Sequence, residues 1–266
     1  MAGDRDAHPR VLSSPGAPVH METPYLSVVI PAYNESRRVL DTLQRCSARL
    51  RECVPSWELI VVDDGSHDDT RDIVARVAER DARVRLIAAA HGGKGAAVRR
   101  GMLAARGQWC FFADADLSMD LDQLPRFFAA DADVAIASRE APGAQRIGEP
   151  WSRHAIGRVF NLFVRLVAVP GINDTQCGYK LFTARAVQQL FPIARLNGFA
   201  FDVELLYLAR QAGLRIREVP VTWSYRPGSR VRVLTGLIAF LQILEIRWND
   251  LLGRYDLETR RSHQPT

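Results

Sequence analysis

Asp114 and Asp116, with Ala115 between them, follow the apolar run Trp109-Cys110-Phe111-Phe112-Ala113. If that run is a buried strand, its two-residue alternation sends both acids to the same side as the chain leaves the core. Converging carboxylates repel each other unless a cation sits between them. Oxygen-only ligands suit a hard divalent ion, Mg²⁺ or Mn²⁺, which also grips a diphosphate. Taken alone, an Asp-x-Asp is equally the makings of a polar turn, so its neighbours matter. Pro31-Ala32-Tyr33-Asn34-Glu35 follows another apolar run, where ring and carboxylate could frame a nucleobase or simply turn the chain. Asp63-Asp64-Gly65-Ser66 closes a third run. It is a good helix-leading turn, and one of its acids could also accept from a uracil N3–H or a ribose hydroxyl. His91-Gly92-Gly93-Lys94-Gly95 reads as a phosphate cradle, because glycine lets backbone approach an anion and Lys94 adds charge. It is no Walker sequence, lacking the spacing and the Ser/Thr after Lys. No GxGxxG follows the first strand, which argues against a dinucleotide-binding dehydrogenase.

The elements that would position these groups alternate. Apolar runs predict strands at 26–30 (ending at Pro31), 58–62, 84–88, 109–113 and 133–137. Helical spacing predicts helices over 36–52, from Asp68 or Asp69 through Glu79, from the glycine loop through Ala105, and over 122–130. Uniformly apolar strands alternating with helices imply an α/β fold whose mostly parallel sheet is covered on both faces. Ligands in such sheets sit beyond the carboxyl ends of the strands. Tyr33, Asp63, Asp64, the glycine loop, Asp114 and Asp116 all fall at that edge.

With 266 residues, 47% of them hydrophobic, the chain can bury one large domain. Its net charge of +5 is mostly scattered Arg, with no basic tract interleaved with aromatics, so the charge fits an anionic substrate or membrane surface and gives no support to nucleic-acid binding. Cys46, Cys53, Cys110 and Cys177 show neither zinc spacing nor a disulfide framework, as expected of reduced, cytoplasmic thiols. Residues 1–24 lack an apolar signal core and read as a disordered leader; 256–266 read as a disordered tail. No apolar stretch reaches the roughly 18–20 residues that span a bilayer.

Several motifs together carry a resemblance. Val-Ile-Pro-Ala-Tyr-Asn-Glu, Val-Val-Asp-Asp-Gly-Ser, Gly-Gly-Lys-Gly and Ala-Asp-Ala-Asp, in this order, resemble the family 2 glycosyltransferases of GT-A fold. Ala-Ser-Arg at 137–139, Asn-Asp-Thr-Gln-Cys-Gly-Tyr-Lys-Leu-Phe at 173–182, Phe-Asp-Val-Glu at 201–204 and Pro-Gly-Ser-Arg-Val at 227–231 are similar to the dolichyl-phosphate (polyprenyl-phosphate) sugar synthases, the glucosyltransferases above all. The resemblance spans about residues 25–255 and implies a catalytic domain at 25–232 with a Rossmann-like sheet, followed by a helical region at 233–255. It places Pro31, Ala32, Tyr33, Glu35, Asp63, Asp64 and Lys94 on the nucleotide of a sugar-nucleotide donor, UDP-glucose by the same likeness. Asp114 and Asp116 would hold donor and metal, and Arg139, Arg153 and Arg226 would surround the acceptor and leaving phosphates, with Arg230, Asp174 and Gln176 as further acceptor candidates. Asp202 and Glu204 precede a helix and are open between orienting the acceptor, catalysis and helix-terminal support.

A phosphomonoester acceptor, with a second pKa of about 6, is already a competent nucleophile near neutral pH. In-line displacement would then invert the anomeric centre. Two segments could lie on the membrane that such a lipid needs. Between Ala155 and Val169 the polar side chains are Arg158, Asn161 and Arg165; between Val233 and Trp248 the polar stripe is Thr235, Gln242 and Glu245, with Arg230, Arg232 and Arg247 flanking. Both read as amphipathic helices in an interface, making the protein peripheral on the cytoplasmic face, or else as helices that pack on each other. The alternatives are a family 2 transferase acting on a soluble hydroxyl, with Asp202 as base, and a non-catalytic nucleotide-sugar-binding protein.

Overall fold

A computed structural model describes residues 23–225 and 233–256, with backbone alone at 233–237. The leader and the tail fall almost wholly outside the described residues, as do Arg226, Arg230, Arg232 and the turn at 227–231. Strands and helices alternate as the periodicity implies: β1 (Leu26–Ala32), α1 (Val39–Cys53), β2 (Trp57–Asp64), α2 (Thr70–Arg80), β3 (Val84–Ala89), α3 (Lys94–Ala104) and β4 (Trp109–Ala113). The helix expected over 122–130 is shorter. A 3₁₀ turn at Leu121–Gln123, capped by the Asp120 carboxylate, precedes α4 (Leu124–Phe128), because Pro125 fits only a first helical turn. The remainder is β5 (Val134–Ser138), β6 (Gln145–Ile147), α5 (Trp151–Val167), β7 (Tyr179–Thr183), α6 (Ala184–Leu190), α7 (Phe201–Gln211), β8 (Ile216–Pro220), β9 (Thr222–Ser224) and α8 (Val233–Leu251).

Seven strands form one sheet in the order β3-β2-β1-β4-β7-β5-β8, and β6 pairs with β9 in a small second sheet. All pairings of the large sheet are parallel except those of β7, which runs antiparallel between β4 and β5. Strand β1 continues through Pro31 to Ala32. Its pairing with β4 ends at Val29↔Phe112, so the proline lies where the sheet has opened on that side. Both faces are buried, which explains the uniformly apolar runs. Val29, Ile60, Phe112 and Phe182 pack under α3, α6, α7 and α8; Val28, Ile30, Val61 and Phe111 pack under α1, α2 and α4.

At the edge of the sheet away from the site, the buried Glu58 ties four segments. Its carboxylate accepts from the Ser27 hydroxyl at 2.7 Å, the Arg106 N–H at 2.8 Å, and the guanidinium groups of Arg85 at 2.6 Å and Arg106 at 3.0 Å. Burial alone would raise this carboxyl; the bonds from Ser27, Arg85 and Arg106 hold it below its ordinary value.

Helices α5 and α8 pack on each other, with the Phe240 ring 4.9 Å from Phe160 and 5.0 Å from Phe163. Two residues of the expected polar stripes face the protein. Asn161 accepts from the Thr175 hydroxyl at 3.1 Å, and Gln242 accepts from the Ala200 N–H at 3.4 Å. Apolar residues face outward instead: Trp151, Ile156, Val159, Leu162 and Leu166 on α5, and Ile238, Leu241, Leu244, Trp248 and Leu251 on α8. The helices pack on each other, as the second reading had it, and their exposed face is apolar where the polar stripe was expected.

A depressed carboxyl contributes stability above its unfolded pKa and loses it on acidification. Replacing Glu58 by Gln should therefore cost about 2 kcal/mol in urea denaturation at pH 7, with the gap to wild type closing below about pH 4. A loss under about 0.5 kcal/mol would show that the network is not holding the sheet edge.

Candidate functional site

The site begins where β4 ends. Leu117 is held in the left-handed region at φ 45° although it is not glycine, and this turns the chain sharply after Asp116. The turn is fixed by the Leu117 N–H donating to Asp114 O at 3.2 Å, the Ser118 N–H to Asp116 Oδ1 at 3.0 Å, and the Thr42 hydroxyl of α1 to Ala115 O at 2.6 Å. Asp114 and Asp116 are both half-buried here. Lys94, the first residue of α3, puts its ammonium 2.6 Å from Asp114 Oδ1. On the other side Gly178 backs against the same carboxylate, which takes the place a Cβ there would occupy.

Charge at this point is tightly interdependent. Burial pushes the Asp114 carboxyl up; Lys94 opposes this, while Asp116 and Asp202 add repulsion. Burial would lower the Lys94 ammonium, but Asp114, Asp202 and Asp116 outweigh it and hold it above its ordinary value. Among the described residues no group of three or more His, Cys, Asp or Glu side chains could hold a metal ion. A divalent ion at Asp114 and Asp116 would therefore complete its shell from a ligand's oxygens. The donor set is all oxygen, and Gly178, lacking a Cβ, leaves the room that the Asp114 carboxylate itself occupies, so the residues fit a hard cation.

A second buried ion pair lies beneath the first. Lys180 is fully buried on β7 and donates at 2.7 Å to both Asp202 Oδ1 and Cys177 O, with its ammonium 5.3 Å from the Phe112 ring centre. Asp202 is thus a counter-ion and not an open base: its carboxylate is buried at the start of α7 under an ammonium. Glu204 on the same turn serves as a brace, accepting from the Arg195 and Leu196 N–H groups and from the Tyr255 hydroxyl. Burial is the main cause that raises its carboxyl, against those bonds.

A third pair prepares the other half of the site. Arg139, just past β5, is bidentate to Asp174, at 2.7 Å to Oδ2 and 2.9 Å to Oδ1. Asp174 was expected to face an acceptor; it is wholly buried and instead holds the arginine. Although burial would raise it, Arg139 holds its carboxyl down at about 2. The Arg139 guanidinium lies over Trp223 at 5.2 Å, and Arg153 on α5 lies over Tyr225 at 5.2 Å. These four side chains form one aromatic and cationic wall, with the half-buried Gln176 on the turn between Asp174 and Gly178.

On the nucleotide side the expectations need correcting. Asp63 is buried and paired with Arg71 at 2.9 Å, and it also accepts from the Ser66 N–H at 3.2 Å. Asp64 accepts from the Gly92 N–H at 2.8 Å and the Gly93 N–H at 2.9 Å, and lies 2.9 Å from His91 Nδ1. The glycine loop is therefore not an open phosphate cradle. Its amides serve Asp64, and the Gly95 N–H serves Asn197 O at 2.8 Å. Gly93, at φ +97°, is needed because a Cβ would meet Asn197 O at 2.6 Å. Ala32 puts its methyl in the core at the end of β1, beside Pro31. Glu35 pairs with Arg38 at 2.7 Å. Tyr33 and His91 stack at 4.4 Å beside a cavity of about 540 Å³ lined by Gly65, Ser66, His67, Arg71 and the 88–91 segment.

Sequence reasoning passed over Lys180, Trp223 and Tyr225. Thr222-Trp223-Ser224-Tyr225 alternates at period two, which places both rings on one face. The lysine signal is compositional: of the 35 Lys and Arg residues only two are lysine, Lys94 and Lys180, and both sit on carboxylates of this site.

Two outcomes follow from this geometry. Gly178→Ala should fold yet bind Mn²⁺ at least tenfold more weakly, read by electron paramagnetic resonance of the free ion; unchanged affinity would sink the assignment of Asp114 as a ligand. Asp174→Asn strands a buried guanidinium and should cost about 3 kcal/mol at neutral pH. Because the Asp174 carboxyl is depressed, that gap should close as pH falls from about 4 toward 2. A gap independent of pH over that range would contradict the pairing.

Comparison with known proteins agrees with this architecture. The model of glycosyl transferase family 2 matches residues 27–191. The chain is similar to the dolichyl-phosphate beta-glucosyltransferase of Dictyostelium discoideum, with 34% identity over 253 residues, 88% of this chain and 77% of that protein. It is similar to the Drosophila melanogaster protein of the same name at 38% over 237 residues, 82% and 72% of the two chains. With the Homo sapiens protein of that name it shares 32% over 285 aligned positions, 97% and 84%. In fold it is similar to glucosyl-3-phosphoglycerate synthase from Mycobacterium tuberculosis, solved with Mn²⁺, uridine diphosphate and phosphoglyceric acid. That superposition has a TM-score of 0.62 and 19% identity and covers 88% of this chain and 79% of that one. The chain belongs to the family 2 glycosyltransferases and is an enzyme of GT-A fold.

Proposed function

We propose that the enzyme moves glucose from UDP-glucose to the phosphate of a polyprenyl lipid of the dolichyl-phosphate class, inverting the anomeric centre. The relatives at 34% and 38% identity carry that activity in their names, and the fold neighbour was crystallised with uridine diphosphate and Mn²⁺. The observation that carries the choice of acceptor is Asp202. A sugar or metabolite hydroxyl needs a positioned base, and the carboxylate reserved for that role is buried under Lys180 at 2.7 Å. A phosphate dianion needs no base; it needs cations that overcome its repulsion from the donor.

Arg139 and Arg153 supply such cations on the Trp223 and Tyr225 wall. Asp174 locks the Arg139 fork in orientation, so little of its freedom is left to lose when the acceptor binds. Tyr33, His91 and the depression that His91 lines would take the uridine, and Lys94, beside Asp114, would meet the diphosphate. A divalent ion held by Asp114 and Asp116 would supply Lewis-acid neutralisation of the departing diphosphate. The acceptor oxygen attacks the anomeric carbon from the face opposite the leaving diphosphate, and a donor of α linkage yields a β-linked lipid phosphate sugar.

The lipid is met at a membrane surface. Among the described residues no helix is long and apolar enough to cross a bilayer. The outward rows of α5 and α8 are exposed to a degree unusual for large apolar side chains, Trp151 at 84% and Leu166 at 78%. They suit helices lying in the interface, and the surplus positive charge suits the anionic cytoplasmic leaflet.

Radiolabelled UDP-glucose incubated with polyprenyl phosphate and Mg²⁺ should pass label into the organic phase, whereas water-soluble hydroxyl acceptors should take none. Label found only in soluble products, or an α-linked lipid product, would refute the assignment. Asp116→Asn should lower metal-dependent transfer at least a hundredfold. Leu166→Glu combined with Leu241→Glu should abolish flotation with anionic vesicles while leaving UDP binding intact; undiminished flotation would remove α5 and α8 from the membrane face.

A further inference from the structure

Lys94 bridges the two halves of the donor site. Its ammonium is 2.6 Å from Asp114 Oδ1, the oxygen of a carboxylate assigned to the metal. It also opens α3 directly after the glycine loop, whose amides are committed elsewhere: Gly92 and Gly93 to Asp64, Gly95 to Asn197. What this segment can offer a diphosphate is therefore the ammonium. The same group is bonded to the metal's own ligand, and it cannot fully serve both.

The choice of lysine here carries information. The chain meets nearly every other need for a cation with arginine, including the locked Arg139 fork on Asp174. A guanidinium binds two oxygens of one partner in fixed geometry. An ammonium is a compact charge on a flexible stem that changes partner with little rearrangement. Lys180, the other lysine, is walled in by Asp202, Cys177 O and the Phe112 ring. Lys94 is buried less completely, its side chain 22% exposed, beside an Asp114 that is 28% exposed.

We propose that Lys94 is a placeholder cation that exchanges partners: it pairs with Asp114 until metal and donor arrive, then leaves Asp114 to the divalent ion and moves to a diphosphate oxygen. The inference rests on the donor and metal reading given above and adds to it a coupling. A divalent ion arriving alone must displace the ammonium and leave it without an anion among buried groups. A diphosphate arriving alone must pull the ammonium from Asp114 and leave that carboxylate facing Asp116 and Asp202. Arriving together, each ligand supplies what the other removes. Metal and nucleotide thus bind as a pair, and Lys94 carries much of their coupling.

The test is a linkage measurement, separate from turnover. Mn²⁺ affinity is read by electron paramagnetic resonance with and without saturating UDP, in the wild type, in Lys94→Gln, and in Lys94→Met should the first fold poorly. In wild type, UDP should tighten Mn²⁺ at least thirtyfold. In the variant, Mn²⁺ alone should bind at least tenfold tighter than in wild type, and the UDP enhancement should shrink at least tenfold. A lysine that merely repels the ion would raise affinity equally with and without UDP and leave the coupling unchanged; that result would overturn the exchange. A lysine that stays on Asp114 as scaffold would, when removed, weaken Mn²⁺ in both conditions, which would overturn it too. Wild-type protein that binds no UDP at any Mn²⁺ concentration would instead refute the donor site, and the exchange with it.

Discussion

Four carboxylates, on Asp114, Asp116, Asp174 and Asp202, gather at the carboxyl edge of the sheet in buried or half-buried positions, and the site depends on their being neutralised there. An uncompensated carboxylate in such a setting costs several kcal/mol, comparable to a large share of a domain's stability. Lys94, Lys180 and Arg139 interleave with them at 2.6 to 2.7 Å. The sheet order makes this possible. By running antiparallel between β4 and β5, β7 carries Lys180 alongside Phe112, while the turn before it lays Gly178 on Asp114 and Asp174 on Arg139. An all-parallel sheet would bring the opposite end of that strand to this edge. The one reversed strand is therefore the element on which the proposed donor and acceptor halves converge.

The three cations differ in how freely they can respond. Arg139 is held by two oxygens of Asp174 and by its own backbone N–H on the same carboxylate, so it is an oriented surface for an anion. Lys180 joins two structural segments and has nowhere to go. Lys94 has one strong partner and a partly open flank. A site that must bring two anions together benefits from both kinds, one fixed to align the nucleophile and one able to follow charge as it accumulates on the leaving group.

Much of this is legible in the sequence. Apolar runs predict β1 to β5 to within two residues at either end, because strands buried on both faces cannot disguise themselves, whereas β6 to β9, the reversed β7 among them, are not signalled by such runs. The position of Asp114, Asp116, Tyr33, Asp64 and Lys94 at one edge followed from strand polarity alone. What was not readable was pairing. Asp174 reads as an acceptor candidate and Asp202 stays open between substrate and support, since a sequence displays a charge but not the partner that consumes it; those partners, Arg139 and Lys180, lie 35 and 22 residues away. The glycine loop looked like an anion cradle for the same reason: its amides belong to Asp64, 28 and 29 residues earlier. The amphipathic helices deceived differently. Asn161 and Gln242 stand on the polar stripes that the periodicity assigns to the wet face, whereas each satisfies a polar group inside the protein.

That inversion bears on how a lipid phosphate would be received. Helix α5 begins at Trp151, which is exposed, and two residues later presents Arg153 over Tyr225 on the cationic wall. The same helix then carries Ile156, Val159, Leu162 and Leu166 outward along 17 residues, roughly 25 Å. An acceptor with an apolar tail and an anionic head has the same order of chemistry, with the charge at one end and hydrocarbon along the rest. If α5 lies in the interface with α8 packed beside it, the first turn holds Arg153 near headgroup depth while the apolar row rests against the chains. The arginine wall then faces a phosphate that need not leave the membrane surface to be glycosylated. Turning the two polar residues inward leaves the outer row apolar, so polarity that looks misplaced in the helices would let one element serve both ends of such an acceptor.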